Sequence, residues 1–196
     1  SVVYALDAIT GAELWKYDPQ VPGEWGKNAC CDVVNRGVAV YDGSVFVGTL
    51  DGRLVSLDAA TGKVNWEVVT IDRSKPYTVT GAPRVVKGKV LIGNGGAELG
   101  VRGYLTAYDA KTGEQLWRFF TVPRAPALGQ DHPDLERAAA TWDPKSLWTF
   151  GGGGTAWNGM TFDAELGRIY IGVGNAGPYD PEKRDPKGPN SVGGDN

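Results

Sequence analysis

The chain of 196 residues carries 29 Gly, 12 Pro and 7 Trp, is 41% hydrophobic, and has a formal net charge of -3. Weak acidity argues against a nucleic-acid partner, which favours a basic stripe, and no apolar run approaches the ~20 residues of a membrane-spanning helix. A Gly- and aromatic-rich composition of this kind points to an all-β protein.

Residues 1–6 read as a strand, and Asp7 to Gly11 as a tight turn in which the Asp side chain caps the backbone and Gly11 tolerates positive φ. A second strand starts at 14–17. Residues 18–37 form a long loop with Pro19, Pro22, Gly23 and Gly26, ending in Cys30-Cys31-Asp32-Val33-Val34-Asn35-Arg36-Gly37. A loop of that length in a compact domain is usually functional. Residues 38–41 and 44–48 flank Asp42-Gly43, a strong hairpin signal. Another turn at Asp51-Gly52 precedes a strand at 53–57. The next unit repeats this order, with strands at 82–86, 89–92 and 104–108 and a Gly-rich bend, Gly95-Gly96-Ala97-Glu98-Leu99-Gly100. Residues 121–147 are irregular around one helical candidate at 134–140, which Asp134 caps or starts. Gly151-Gly152-Gly153-Gly154-Thr155-Ala156-Trp157 then leads into strands at 160–162 and 168–172, and the tail from 176 reads as loop.

An Asp-x-x-Thr-Gly-x-x-x-Trp pattern recurs at Asp7–Trp15, Asp58–Trp66 and Asp109–Trp117, its copies starting 51 residues apart. A fixed period of this size marks a repeat architecture, and four antiparallel strands per ~50 residues is the pattern of a β-propeller blade. Trp15, Trp66 and Trp117 are read as structural, packing flat between neighbouring sheets. The chain opens within a strand and ends at Gly193-Gly194-Asp195-Asn196 without a closing element, so it is read as an internal part of a longer protein.

Four features depart from the repeat: Cys30-Cys31 with Arg36, the Glu98 bend, the 151–157 run, and Gly174-Asn175-Ala176-Gly177. All fall in turns between strands, and corresponding turns of a propeller gather at one end of its axis. The two cysteines, the only ones in the chain, are either two small buried hydrophobes or a vicinal disulfide, which would imply an oxidising compartment. A Cys/His zinc site lacks ligands, since His132 is the single His and reads as surface. Glu98 and the Asn175 amide are hard oxygen ligands suited to Ca²⁺. Arg36 is a fork-shaped donor for a carboxylate, and Trp157 offers a flat face. Taken singly, each has a structural alternative: Glu98 a surface turn acid, Asn175 a left-handed turn residue, Arg36 a salt-bridge partner.

The Trp-ending repeats, the Cys30–Gly37 stretch, Gly95-Gly96-Ala97-Glu98-Leu99-Gly100-Val101-Arg102-Gly103 and Gly152-Gly153-Gly154-Thr155-x-Trp157 together resemble the pyrroloquinoline quinone (PQQ)-dependent alcohol dehydrogenases. Residues 118–157 resemble the quinohaemoprotein type more than the methanol dehydrogenases. The resemblance spans the chain and implies a partial β-propeller over residues 1–196, three to four four-stranded blades of an eight-bladed domain truncated at both ends. It implies a Cys30–Cys31 disulfide over one face of PQQ and Trp157 over the other. Arg36 and Thr80 would contact the cofactor's oxygens, the Gly96-Ala97 backbone would touch it, and Glu98 and Asn175 would ligate Ca²⁺ or a lanthanide. It further implies oxidation of a primary alcohol to an aldehyde in the periplasm, with a cytochrome c as electron acceptor and a haem c domain elsewhere. No catalytic base is assigned here: the family's general-base Asp is expected beyond Asn196, Asp195 is not given that role, and the isolated chain is expected to be inactive. The alternative is a non-catalytic propeller of the same repeat class that scaffolds protein assembly.

Overall fold

A computed structural model describes residues 1–180. Two four-stranded antiparallel sheets form its centre. The first comprises β3 (Val38–Tyr41), β4 (Ser44–Gly48), β5 (Arg53–Asp58) and β6 (Val64–Val69). The second comprises β7 (Arg84–Val86), β8 (Lys89–Gly93), β9 (Tyr104–Asp109) and β10 (Gln115–Phe120). Two-stranded sheets flank them, β1 (Val3–Leu6) with β2 (Glu13–Tyr17) before, and β11 (Met160–Asp163) with β12 (Arg168–Ile171) after. Within each sheet the strands pair in chain order, as in propeller blades. The expected four-stranded blades are thus two complete ones and two pairs of strands among the described residues.

The burial pattern follows from stacking sheet on sheet. In β4 and β5 nearly every side chain is buried, because neighbouring sheets cover both faces. The last strand of each complete sheet instead alternates between exposed and half-buried residues. Phe46 and Leu54 of the first sheet interlock with Val90, Ile92, Tyr104 and Tyr108 of the second. Val3 packs on Val45, Val47, Val55 and Leu57 on one side, and Met160 on Leu91, Leu105 and Ala107 on the other. Burying one such Val, Leu or Phe stabilises by about 1.5–3 kcal/mol, so these three interfaces are what join the sheets.

The repeated motif locks the same interfaces. In each copy the Asp carboxylate accepts from the backbone two and three residues on, and from the Thr hydroxyl. The Trp does its work on the next blade. Trp15 Nε1 donates to the Ala59 carbonyl (3.0 Å) and Trp66 Nε1 to the Ala110 carbonyl (3.1 Å). Each indole lies flat on the glycine of that next turn: a Cβ on Gly62 would sit 2.7 Å from the Trp15 ring, and one on Gly113 2.8 Å from the Trp66 ring. Asp, Gly and Trp therefore recur together because the Trp of one repeat needs the turn of the following one.

The excursion between β10 and β11 holds one α-helix, α1 (Pro133–Ala139), which starts one residue earlier than its sequence suggests, and two short 3-10 turns, Pro126–Leu128 and Trp148–Phe150. His132 precedes it as the N-cap residue. It is not a free surface side chain, for its ring stacks on Phe119 at 4.5 Å and its Nε2 is buried. Arg102 ties the excursion down, donating to the Val122 carbonyl (2.8 Å) and to Asp131 (2.7 Å) while lying over the Phe120 ring. Burial of this guanidinium lowers its pKa from the ordinary arginine value. Asp195 and the tail from 181 lie outside the described residues.

Candidate functional site

Three segments converge where the first strands of the two complete sheets, β3 and β7, approach each other. The first is the 18–37 loop. It contains a 3-10 helix, Gly23–Asn28, that sequence periodicity does not reveal. Trp25 anchors it by donating from Nε1 to the Tyr77 carbonyl (3.1 Å) and packing on the core between the sheets. At the other end Asn35 Nδ2 donates to the Gly48 carbonyl (2.8 Å), and the Arg36 N–H donates to the Thr80 carbonyl (3.1 Å). Between these anchors Cys30 and Cys31 are joined by a disulfide. Both residues are exposed, so the reading as buried hydrophobes is overturned.

The second segment is the Gly-rich bend after β8. Gly95 pairs with Thr78 in an isolated antiparallel bridge, and a short 3-10 turn, Ala97–Leu99, presents Glu98 to solvent. The third is the glycine run. Gly153 bridges Arg102 on one side and Ala176 on the other, so 152–155 lies as an extra strand between 101–103 and 174–177. The ladder includes Gly103 N–H to Gly153 O (2.7 Å), Gly154 N–H to Asn175 O (3.1 Å) and Gly174 N–H to Thr155 O (2.8 Å). A Cβ on Gly153 would collide with the Asn175 carbonyl oxygen, so only glycine allows this close approach. The glycines thereby bring Trp157 and Asn175 to the bend that carries Glu98.

The result is a cavity of about 260 Å³. Cys30, Cys31, Arg36, Thr80, Gly96, Glu98, Trp157 and Asn175 all line it. Ala97 does not: its side chain is buried, and its carbonyl accepts from the Gly100 N–H within the turn. The Arg36 guanidinium lies 4.5 Å from the centroid of the Trp157 ring, with Nη1 3.4 Å from the Thr80 carbonyl. Asn175 Nδ2 donates to the Ala176 carbonyl (3.1 Å), which orients the amide and leaves its oxygen as a free acceptor. Among the described residues no cluster of three or more His, Cys, Asp or Glu forms a metal site. Glu98 and Asn175 thus face the cavity without a third carboxylate, His or Cys grouped beside them among the described residues.

Of the lining residues that sequence reading did not single out, Thr78 and Thr155 are both almost wholly buried. The signal was present as alternation: Thr78 and Thr80, and Thr155 and Trp157, are two apart and so share a face of an extended chain. Beneath them Tyr77 packs tilted against Tyr104 (5.7 Å between centroids), and burial raises the pKa of both phenols.

Residues 1–186 match the family described as the PQQ glucose/ethanol/alcohol dehydrogenase beta-propeller domain. The chain is 57% identical over 188 residues to the quinohemoprotein alcohol dehydrogenase ADH IIB of Pseudomonas putida, covering 96% of this chain and 27% of that protein. The crystal structure of the quinohemoprotein alcohol dehydrogenase from Comamonas testosteroni matches with a TM-score of 0.93 and 55% identity, over 98% of this chain and 29% of that one. A europium-containing methanol dehydrogenase matches with a TM-score of 0.81 and 39% identity, over 93% of this chain and 33% of its own. The chain thus spans 27–33% of the length of these relatives. Repeat, fold and match agree: this chain belongs to the PQQ dehydrogenase β-propeller family.

Proposed function

We propose that this chain forms part of the cofactor pocket of a PQQ-dependent alcohol dehydrogenase that oxidises primary alcohols to aldehydes. The observation that carries the reading is the meeting, at one cavity, of the disulfide loop, the Glu98 bend and the Gly151–Trp157 run, which share no local reason to be adjacent. The donor set suits PQQ. A flat indole and a disulfide give apolar walls, Arg36 and the threonines give donors for carboxylates and carbonyls, and Glu98 with Asn175 gives oxygen ligands for a hard cation. A propeller that only scaffolds assembly has no use for this combination.

PQQ with Ca²⁺ or a lanthanide supplies an electrophilic quinone carbonyl able to accept hydride equivalents from the alcohol carbon. This chain's residues do the holding. The disulfide and Trp157 would confine the planar ring, and excluding water there strengthens every charge interaction in the site. Arg36 would leave the Trp157 face or share it to pair with a cofactor carboxylate. Glu98 would supply negative charge to the cation and Asn175 a neutral oxygen. The base that takes the hydroxyl proton is expected beyond Asn196. Electrons would pass to a haem c elsewhere in the protein or to a separate cytochrome c. A disulfide on the surface of the loop agrees with a periplasmic location.

The test is reconstitution of the full-length apoprotein with PQQ and Ca²⁺ or a lanthanide. Stoichiometric PQQ binding and alcohol-dependent dye reduction across a series of primary alcohols are expected. A protein that takes up no PQQ under either metal would refute the reading.

A further inference from the structure

Thr78 combines three properties that do not ordinarily occur together. The residue lines the cavity, it is only 3% exposed, and its hydroxyl, engaged by no hydrogen bond among the described residues, is nevertheless not one of the sealed, unpaired polar groups of the interior. Its backbone is fully engaged, with Gly95 N–H donating to the Thr78 carbonyl (2.7 Å) and Thr78 N–H to the Gly95 carbonyl (3.4 Å). On either side the chain is pinned by the Trp25 bond to Tyr77 and by Val79, buried in the core. The backbone that carries the hydroxyl is therefore held in place on both sides. A hydroxyl that no protein group engages and that opens at a cavity wall keeps both its donor and its acceptor capacity for a ligand there. Gly95 keeps the approach open, because a Cβ there would lie 2.7 Å from Thr78 Oγ1.

We propose that Thr78 is a further binding residue of this pocket, its hydroxyl making a hydrogen bond to an edge oxygen or ring nitrogen of the planar quinone, and that Gly95 is glycine to admit that edge. The inference rests on the PQQ reading above. It differs from the wall and metal roles already assigned, because it concerns in-plane orientation of the ring rather than stacking or charge.

The full-length apoprotein is titrated with PQQ in the presence of Ca²⁺, following tryptophan quenching and the absorption spectrum of the bound quinone. T78V keeps the shape and removes the hydroxyl, whereas T78S restores it. T78V is expected to bind PQQ about five- to tenfold more weakly, the worth of one hydrogen bond, and to shift the bound quinone's absorption band. T78S should stay within about twofold of wild type with the band unmoved. The thermal midpoint of the T78V apoprotein should stay close to that of wild type, since the hydroxyl makes no hydrogen bond within the protein. T78A provides a second hydroxyl-free variant if T78V does not fold. Wild-type affinity and spectrum in both T78V and T78A would overturn the Thr78 assignment alone. Failure of the wild-type protein to bind PQQ would overturn the pocket reading, and this inference with it.

Discussion

Replacing Gly113 by Ala tests whether the Trp-on-turn contact joins the blades. Gly113 has φ +74, and a Cβ there would lie 2.8 and 2.9 Å from the Trp66 ring atoms. Gly43 is a matched control: its φ is +73 and nothing lies within 4 Å of its would-be Cβ. Both substitutions incur the left-handed backbone cost, about 1–2 kcal/mol. Only Gly113→Ala also forces the indole off its seat, and that ring cannot yield freely, because Nε1 is tied to the Ala110 carbonyl and the ring packs on Phe46 at 5.8 Å. Overpacking of this kind costs about 1–3 kcal/mol more. Gly113→Ala should therefore destabilise by about 2–5 kcal/mol in all, against about 1–2 for Gly43→Ala. Equilibrium urea unfolding of the full-length apoprotein measures both, provided the denaturant slope is unchanged. A Trp66→Leu background should bring Gly113→Ala down to the Gly43→Ala value in a double-mutant cycle. Equal losses for the two glycines in the Trp66 protein would refute the claim that the contact holds the blades together.

Three more outcomes are expected. Glu98→Gln removes charge and chelation from an exposed turn residue, so metal affinity should fall at least about tenfold while PQQ binding persists; unchanged metal content in the purified variant would show Glu98 to be a plain turn acid. Alkylation of the denatured, unreduced protein should label neither Cys30 nor Cys31, with both labelled after reduction; two labels before reduction would contradict the pairing. Turn hydrogen bonds lower the pKa values of Asp7, Asp58 and Asp109, chiefly from the Thr10 backbone, the Thr61 side chain and the Thr112 backbone respectively. Their folded-state values thus lie below the unfolded value of about 3.9. The stability they contribute is present above that pH and is lost as pH falls through the folded values. The thermal midpoint should drop below about pH 4, less steeply in Asp58→Asn than in wild type; identical slopes would remove the turns from the account.

The repeat made the blades legible. Asp-Gly at 42–43 and 51–52 marks two of the three turns of the first complete sheet, the repeated Asp58–Gly62 turn being the third, and strands predicted at 38–41 and 44–48 appear with those bounds as β3 and β4. The reason is local: turn chemistry and strand-forming runs agree at each point, so tertiary packing has nothing to override. The 3-10 helix Gly23–Asn28 was not legible, because it has no apolar period, and a long-range bond from Trp25 to Tyr77 holds it in place. Stacking of His132 on Phe119 was hidden for the same reason.

The site was legible in its members but not in its contacts, and one cause accounts for both. A repeat makes any departure from itself conspicuous, so Cys30-Cys31, Glu98, Trp157 and Asn175 stand out as residues the blades do not need. Repetition cannot say which atoms of those departures meet. Ala97 sits between two lining residues in sequence, yet the 3-10 turn rotates it into the protein while Gly96 and Glu98 face the cavity. Thr78 was passed over although Thr80, two residues on along the same face, was chosen. What selects Thr78 is the bridge to Gly95, a pairing between segments that are adjacent only because β7 and β8 fold back between them. The bridge that places Thr78 at the cavity wall thus belongs to the same Gly-rich bend that turns Glu98 towards the cavity, so one local geometry sets the position of both.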